Sequence, residues 1–254
     1  MTSASVGFHC PECIAEAKAA APAIKSRLGA TVPSRPTVTI AIIALCVLAY
    51  GWQFLTQDGV TGDYGMWPVY LALDNEYYRL LTSMFLHGGL LHIGLNMLFL
   101  WMLGPQLEYV LGHVRFAVLY VVAGLGGSIA SFWFSAPNTL SVGASGAIFG
   151  LLGAYVVVGR RLAIDTTQII GLIVINIALG FVISGIDWRA HLGGLITGGA
   201  VAAVFAYAPK KGQVAAQATG VLAVVALLAV LTLVRDDRLT DQLVQAGLAA
   251  INGS

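Results

Sequence analysis

Residues 190–209 read AHLGGLITGGAVAAVFAYAP, twenty residues without Asp, Glu, Lys or Arg. A bilayer core about 30 Å thick is crossed by about 20 helical residues, so this stretch predicts one transmembrane helix. Three further stretches of similar length carry no charged residue: 36–57, 166–186 and 212–234. The repeated length predicts a polytopic membrane protein built from helices.

Two longer charge-free stretches complete the pattern. Residues 80–107 predict one further helix, which contains several polar side chains. Residues 116–159 are too long for one span, and the Pro and Asn in 135–138 favour a turn that divides them into spans at about 114–134 and 145–159. We therefore expect seven transmembrane helices in an all-α bundle.

The composition excludes other classes of protein. Charged residues make up 10% of the chain, against about 25% in a soluble domain. Hydrophobic residues make up 58%, which excludes a disordered chain. A membrane β-barrel would show alternating segments of about ten residues instead. The net charge of +1, without a basic block, gives no surface for nucleic acid. The high apolar content makes the lipid bilayer the expected partner.

The distribution of Lys and Arg predicts the orientation in the membrane. With a cytoplasmic N-terminus, nine of these residues fall on the inside and four on the outside, and basic residues favour the cytoplasmic side. The inside set is Lys18, Lys25, Arg27, Arg35, Arg115, Arg160, Arg161, Lys210 and Lys211, and the outside set is Arg79, Arg189, Arg235 and Arg238. We expect a multi-pass protein of the plasma membrane with residues 135–144 and the C-terminal tail outside.

Polar side chains inside the spans are candidates for function, because they are costly in lipid. His92 and Asn96 lie one helical turn apart in the second span, while Ser145 and His191 begin the fourth and sixth. The predicted orientation puts these four side chains near the outer ends of their helices, at one depth. A serine hydroxyl becomes a good nucleophile when a neighbouring base takes its proton, and His191 can be that base. Backbone N–H groups at the start of the Ser145 helix suit a developing oxyanion.

Small residues suggest how Ser145 and His191 meet. Gly146 and Gly150 in the fourth helix, and Gly194 and Gly198 in the sixth, have the spacing that lets membrane helices approach closely. Each polar residue also has a structural explanation: serine can bond to its own helix, and histidine or asparagine can join two helices. Their joint occurrence at one depth favours a site.

Cysteines give no complete metal site. Cys10 and Cys13 form a C-x-x-C motif after His9, whereas structural zinc requires four ligands, and Cys46 is expected in the core. A metal transporter that uses His87, His92 and His191 would require acidic residues within the spans, where the sequence has only Glu108 at a boundary. No metal or cofactor is therefore expected.

The sequence resembles the rhomboid intramembrane serine proteases over about Val38 to Tyr207. The matching motifs are Glu76-Tyr77-Tyr78-Arg79, with Tyr78 where Trp is usual, His87-(x)4-His92-(x)3-Asn96, Gly104-(x)3-Glu108-(x)3-Gly112, Gly143-Ala144-Ser145-Gly146 and Ala190-His191-(x)2-Gly194. The Cys10–Cys13 segment is similar to the stub of a zinc module ahead of some actinobacterial relatives, which suggests a bacterial, actinobacterial source and a truncated start.

This resemblance implies an endopeptidase that cleaves single-pass membrane proteins near the extracytoplasmic face. Ser145 and His191 would form a catalytic dyad, and His92, Asn96 and the Ser145 backbone N–H an oxyanion hole. His87, Phe149, Gly143 and Gly146 would support them, with Phe149 stacked on the histidine. No third acidic member is expected, and Asp187 is expected to be solvated or to pair with Arg189.

The resemblance also implies a division of the chain. We expect a cytosolic segment at 1–36 that holds the C-x-x-C stub, a six-helix protease core at 37–210, a seventh transmembrane helix at 211–234 and an extracytoplasmic tail at 235–254. The alternative function is an inactive rhomboid-like protein that binds membrane helices, although such relatives typically lack Ser145 or His191.

Overall fold

Helices make up most of the computed structural model, which describes residues 2–3, 8–20, 24–57, 59–183 and 185–252. Two short strands form an antiparallel pair at the N-terminus. The elements are β1 (Thr2–Ser3), β2 (Phe8–His9), α1 (Pro11–Ala20), α2 (Thr37–Leu55), α3 (Gly59–Tyr64), α4 (Pro68–Asp74), α5 (Arg79–Thr82), a 3₁₀ turn (Ser83–Phe85), α6 (Leu90–Leu111), α7 (His113–Phe134), α8 (Ser145–Leu162), α9 (Thr167–Val182), α10 (Trp188–Tyr207) and α11 (Gln213–Asn252).

Six of the described helices are long and apolar enough to cross a membrane, which confirms the helical membrane bundle. These are α2, α6, α7, α8, α10 and α11. The predicted fifth span is shorter than expected, because α9 has 16 residues. At about 1.5 Å per residue such a helix reaches about 24 Å, less than a typical bilayer core.

The second charge-free stretch, 80–107, is not one helix. Its first residues form α5 and a 3₁₀ turn, and α6 begins only at Leu90, after the Gly88-Gly89 pair. Two consecutive glycines disfavour a helix because their backbones lose the most freedom on folding. His87 therefore lies in a loop outside α6, and the helix continues past residue 107 until Gly112, whose φ of +79° ends it.

Glycine contacts join α8 to α10, as the sequence predicts. A Cβ at Gly194 would overlap the carbonyl of Gly146, and a Cβ at Gly198 would overlap the backbone of Gly150. Helix α7 joins the same contact, since a Cβ on Gly127 would lie 2.8 Å from the carbonyl oxygen of Ala190. These three helices form the centre of the bundle, and α8 and α10 begin at the same end of it.

Glu108 fixes the opposite end of the bundle. Its completely buried carboxylate accepts hydrogen bonds from the backbone N–H groups of Val38 and Thr39 and from the Thr39 hydroxyl, at 2.6–2.9 Å, and contacts the ring of His113. The first N–H groups of a helix have no partner within it. The carboxylate therefore caps α2 from α6.

Helix α11 runs without a break across the expected boundary between residues 234 and 235. Beyond this point it still contacts the rest of the chain, because Asp236 accepts a hydrogen bond from the Tyr77 hydroxyl at 2.7 Å and Thr240 donates to Ala72 O at 2.8 Å. Burial and the bond to Asp236 raise the pKa of Tyr77 to about 12, so its phenol remains a donor. The expected segments 1–36 and 235–254 each lie partly outside the described residues, and their division stays a prediction.

Gly198→Ala should lower the melting temperature of the purified protein. The new methyl group meets the backbone of Gly150, and overpacking typically costs about 1–3 kcal/mol. Gly171→Ala in α9 is the matched control, because no described atom lies within 4 Å of its Cβ position. The control should melt at or slightly above the wild-type temperature, since alanine is the better helix former by about 1 kcal/mol. Equal melting temperatures for the two variants would contradict the close contact of α8 and α10.

Candidate active site

Ser145 and His191 lie within hydrogen-bonding distance of each other. Ser145 is the first residue of α8, and His191 lies in the first turn of α10. Their Oγ and Nε2 atoms are 2.9 Å apart. Since the residues are 46 positions apart in the chain, the glycine contact between the two helices is what brings them together.

The turn before Ser145 is held in an unusual backbone conformation. Gly143 has φ of +130°, which other residues rarely adopt, and its N–H donates to Ser83 O at 2.9 Å. A Cβ at this position would lie 2.9 Å from the Nε2 and Cε1 atoms of His92. The turn thus needs glycine both for its dihedral angles and for the approach of the imidazole. Because α8 begins directly after this turn, the first N–H groups of α8 have no partners from their own helix.

The ring of His191 is fixed by an aromatic neighbour. Phe149, one turn along α8 from Ser145, stacks on it with ring centroids 4.0 Å apart and an interplanar angle of 10°. The Nδ1 atom of His191 is buried and has no hydrogen-bond partner among the described residues. Stacking and the contact with Ser145, rather than a second hydrogen bond, therefore set the orientation of the imidazole.

His92 presents a donor toward the same space. The backbone N–H of Gly88 donates to its Nδ1 at 3.2 Å, so in the neutral ring the proton is on Nε2. That nitrogen faces Gly143, two residues before Ser145.

Asn96 lies one turn further along α6. Its Nδ2 donates to His92 O at 2.8 Å, which leaves one amide hydrogen free, and its buried Oδ1 has no partner among the described residues. Two side-chain donors from α6 are thus available near Ser145.

His87 and Gly146 have supporting positions. His87 is buried, and its ring meets that of His92 edge-on at 5.3 Å, so it packs behind His92 rather than reaching Ser145. Its backbone N–H and C=O bond to the side chain of Gln53 in α2, at 2.9 and 3.2 Å. Gly146 lies where α7, α8 and α10 meet and leaves room for the carbonyl of Ala190.

A cavity of about 760 Å³ opens over these residues. Ser145, His191, His92 and Asn96 all line it, and Asn176 of α9 lies on its wall. Ligand-binding cavities typically measure about 300–1,000 Å³, so this one can hold an extended segment of several residues. A serine hydroxyl, an imidazole and several hydrogen-bond donors at one wall of a cavity form an arrangement that suits acyl transfer.

The structure corrects the expectation for Asp187. Its carboxylate bonds to backbone N–H groups and serine hydroxyls, whereas the guanidinium of Arg189 lies over the Trp188 ring at 5.0 Å. The expected pairing of Asp187 with Arg189 is therefore wrong. An aspartate directly before a helix is a common N-cap, and this signal was available in the sequence. The serines that contact it could not be identified from spacing, because they come from two distant segments.

Comparisons with known proteins cover the part of the chain that forms this site. The family model for the Rhomboid domain matches residues 74–208, which include every candidate site residue. Rhomboid protease GluP of Bacillus subtilis is 42% identical over 189 residues, which is 70% of this chain and 36% of GluP. YdcA of the same organism is 34% identical over 177 residues, which is 64% of this chain and 85% of YdcA. RHOMBOID-like protein 4 of Arabidopsis thaliana is 37% identical over 148 residues, which is 55% of this chain and 37% of that relative. The chain thus spans about a third of the length of GluP and of the plant protein.

Gly143→Ala should reduce the reactivity of Ser145. The methyl group would collide with the His92 ring, and alanine is strained at this φ, so the turn that carries Ser145 must shift. A shift of about 1 Å typically costs about 100-fold in rate. The measurement is the rate at which a fluorophosphonate probe labels the purified protein.

Gly212→Ala is the control for this experiment. Gly212 also has a positive φ, of +70°, but no described atom lies within 4 Å of its Cβ position, and it lies in the link between α10 and α11. This variant should label at the wild-type rate. Wild-type labelling of Gly143→Ala would mean that the turn does not position Ser145.

Proposed function

Because the chain belongs to the rhomboid family, we propose that it is an intramembrane serine endopeptidase that cleaves transmembrane segments of membrane proteins near the extracytoplasmic face. The observation that carries this proposal is the 2.9 Å separation of Ser145 Oγ and His191 Nε2 at the wall of the cavity. The name of GluP as a rhomboid protease gives further support.

In the proposed reaction, Ser145 is the nucleophile and His191 the general base. The unprotonated Nε2 of His191 accepts the hydroxyl proton as Oγ bonds to the carbonyl carbon of the substrate. The protonated imidazole then gives this proton to the leaving amine as the peptide bond breaks, which leaves an acyl ester on Ser145. Water, deprotonated by the same imidazole, hydrolyses the ester and restores the serine hydroxyl.

Donors around the cavity would stabilise the oxyanion that forms in both steps. The backbone N–H of Ser145 at the start of α8, the Nε2–H of His92 and the free amide hydrogen of Asn96 are the groups available. Donors that are already fixed in position need no reorganisation as the charge develops, which lowers the barrier.

The chemistry sets requirements on the substrate. A transmembrane helix uses its carbonyl groups in its own hydrogen bonds, so it must unwind before Ser145 can attack. We therefore propose single-pass membrane proteins with glycine, proline or small residues near the cleaved bond. A cavity of about 760 Å³ can hold such an unwound segment.

The Lys and Arg distribution supports the sidedness of the proposal. Nine basic residues against four favour a cytoplasmic N-terminus, which directs the beginnings of α8 and α10 toward the extracytoplasmic side of the plasma membrane. The site would then open to water on that side, while the substrate would arrive from the lipid.

Ser145→Ala should abolish cleavage of a fluorogenic single-pass peptide in reconstituted vesicles and should leave the melting temperature near the wild-type value. The variant loses one hydroxyl group and gains no volume. Cleavage by this variant at a wild-type rate would reject Ser145 as nucleophile. A wild-type protein that binds the peptide without cleaving it would indicate an inactive helix-binding relative instead.

His191→Ala should lower the rate of cleavage by about 10²- to 10⁴-fold, the usual range for a lost general base. His113→Ala is the matched control, because His113 lies at the opposite end of the bundle near Glu108. The control should cleave at the wild-type rate. Probe labelling of His191→Ala at wild-type speed would remove His191 from the mechanism.

Asn96→Ala should slow cleavage without abolishing it. The loss of one well-placed oxyanion donor typically costs about 3–4 kcal/mol, while the other donors remain. Initial rates at saturating peptide measure the effect. If the rate equals that of the wild type, Asn96 contributes to packing within α6 and not to the oxyanion hole.

A further inference from the structure

The carboxylate of Asp187 joins three separate segments of the chain. Its Oδ1 accepts hydrogen bonds from the backbone N–H groups of Arg189 and Ala190, both at 3.2 Å, and so caps α10. Its Oδ2 accepts from the hydroxyls of Ser131 in α7, at 2.5 Å, and of Ser141 in the loop before α8, at 2.7 Å. One side chain therefore contacts the start of α10, the end of α7 and the loop that leads to Ser145.

The two ends of the Asp187–Ser141 hydrogen bond lie close to the candidate dyad. Asp187 stands four residues before His191, and its backbone carbonyl accepts the His191 N–H at 3.2 Å. Ser141 stands four residues before Ser145. The bond thus joins the segment that carries the base to the segment that carries the nucleophile, at the end of the helices where both side chains lie.

The loop at Ser141 is also held on its other side. Its N–H donates to Met66 O at 2.9 Å, and its carbonyl accepts from Met66 N–H at 3.2 Å. With backbone and hydroxyl both bonded, Ser141 has little freedom to shift. Movement of Ser141 relative to α10 must then break the bond to Asp187.

Asp187 differs from the acidic member of a serine protease triad. In a triad the aspartate accepts the Nδ1–H of the histidine. Here Nδ1 of His191 has no hydrogen-bond partner among the described residues, and the four bonds to Asp187 all come from other groups. A carboxylate has about four lone-pair sites, so its capacity is filled although it lies at the cavity wall.

We propose that Asp187 is a positioning residue that sets the separation of Ser145 and His191 through its bond to Ser141. This inference rests on the proposed function and adds a specific structural cause for the 2.9 Å distance. The glycine contact brings α8 and α10 together along their length, and the Asp187–Ser141 bond fixes the register of their first turns.

Two variants separate positioning from helix capping. Asp187→Ser keeps a good N-cap but removes the carboxylate oxygen that reaches Ser131 and Ser141. Ser141→Ala leaves the cap on α10 intact and removes only the bond to the nucleophile loop. Asp165→Ala is the matched control: Asp165 accepts from the N–H of Thr167 at 2.9 Å and from its hydroxyl, at the start of α9.

The full chain in vesicles is assayed with the fluorogenic peptide and with the fluorophosphonate probe, and its melting temperature is measured. For Asp187→Ser and Ser141→Ala we expect kcat to fall by about 10- to 100-fold, the effect of a displacement of up to about 1 Å. KM should stay within about twofold, since substrate binding is unchanged, and probe labelling should slow by the same factor as kcat. Ser141→Thr, which keeps the hydroxyl, should restore kcat, and Asp165→Ala should cleave like the wild type.

Wild-type kcat in both Asp187→Ser and Ser141→Ala would overturn the positioning role. A rise in KM at constant kcat would also overturn it, because Asp187 would then contact the substrate. If Ser141→Thr does not restore kcat and its melting temperature is lowered, Ser141 acts only in packing. If instead Ser145→Ala still cleaves the peptide, the proposed function itself fails, and that result is distinct from all of these.

Discussion

The contact between the glycine faces of α8 and α10 is the constraint on which the site depends. Gly194 faces the carbonyl of Gly146, and Gly198 faces the backbone of Gly150, with no side chain between them. Without a hydrophobic driving force between helices in lipid, such close packing supplies much of the attraction. It also decides the chemistry, because an imidazole on one helix reaches a hydroxyl on the other only when the backbones are this close.

Carboxylates fix the bundle at both ends. Glu108 caps α2 from α6 at one end, and Asp187 caps α10 at the other while it bonds to Ser131 and Ser141. A carboxylate taken out of water is costly unless several donors surround it. Glu108 is fully buried and Asp187 is partly buried, and each has four hydrogen-bond partners. Each carboxylate therefore holds separate segments together, and the Asp187 carboxylate lies one turn from the candidate dyad.

Much of the site could be predicted from the sequence, and the contacts that could not be predicted have physical reasons. Ser145, His191, His92 and Asn96 stood out because polar groups are rare in apolar spans, and the structure places them around one cavity. Of the two expectations for Asp187, solvation or pairing with Arg189, the pairing is wrong, because the guanidinium of Arg189, two residues along the chain, lies over the Trp188 ring. A capping aspartate can be recognised locally, whereas the hydroxyls that reach it come from residues about 50 positions away.

The sequence by itself determined the class of the protein, the approximate spans and the residues able to do chemistry. Charged and polar side chains are costly in lipid, so those that occur within a stretch of about 20 apolar residues are easy to recognise. It did not locate the break at Gly88–Gly89, which moves His87 out of α6, or the short length of α9. Only the tertiary structure decided that the Ser145 and His191 side chains meet at 2.9 Å, with Phe149 stacked on the imidazole. That distance results from backbone contacts and a carboxylate bridge between segments far apart in the chain, and no local pattern encodes it.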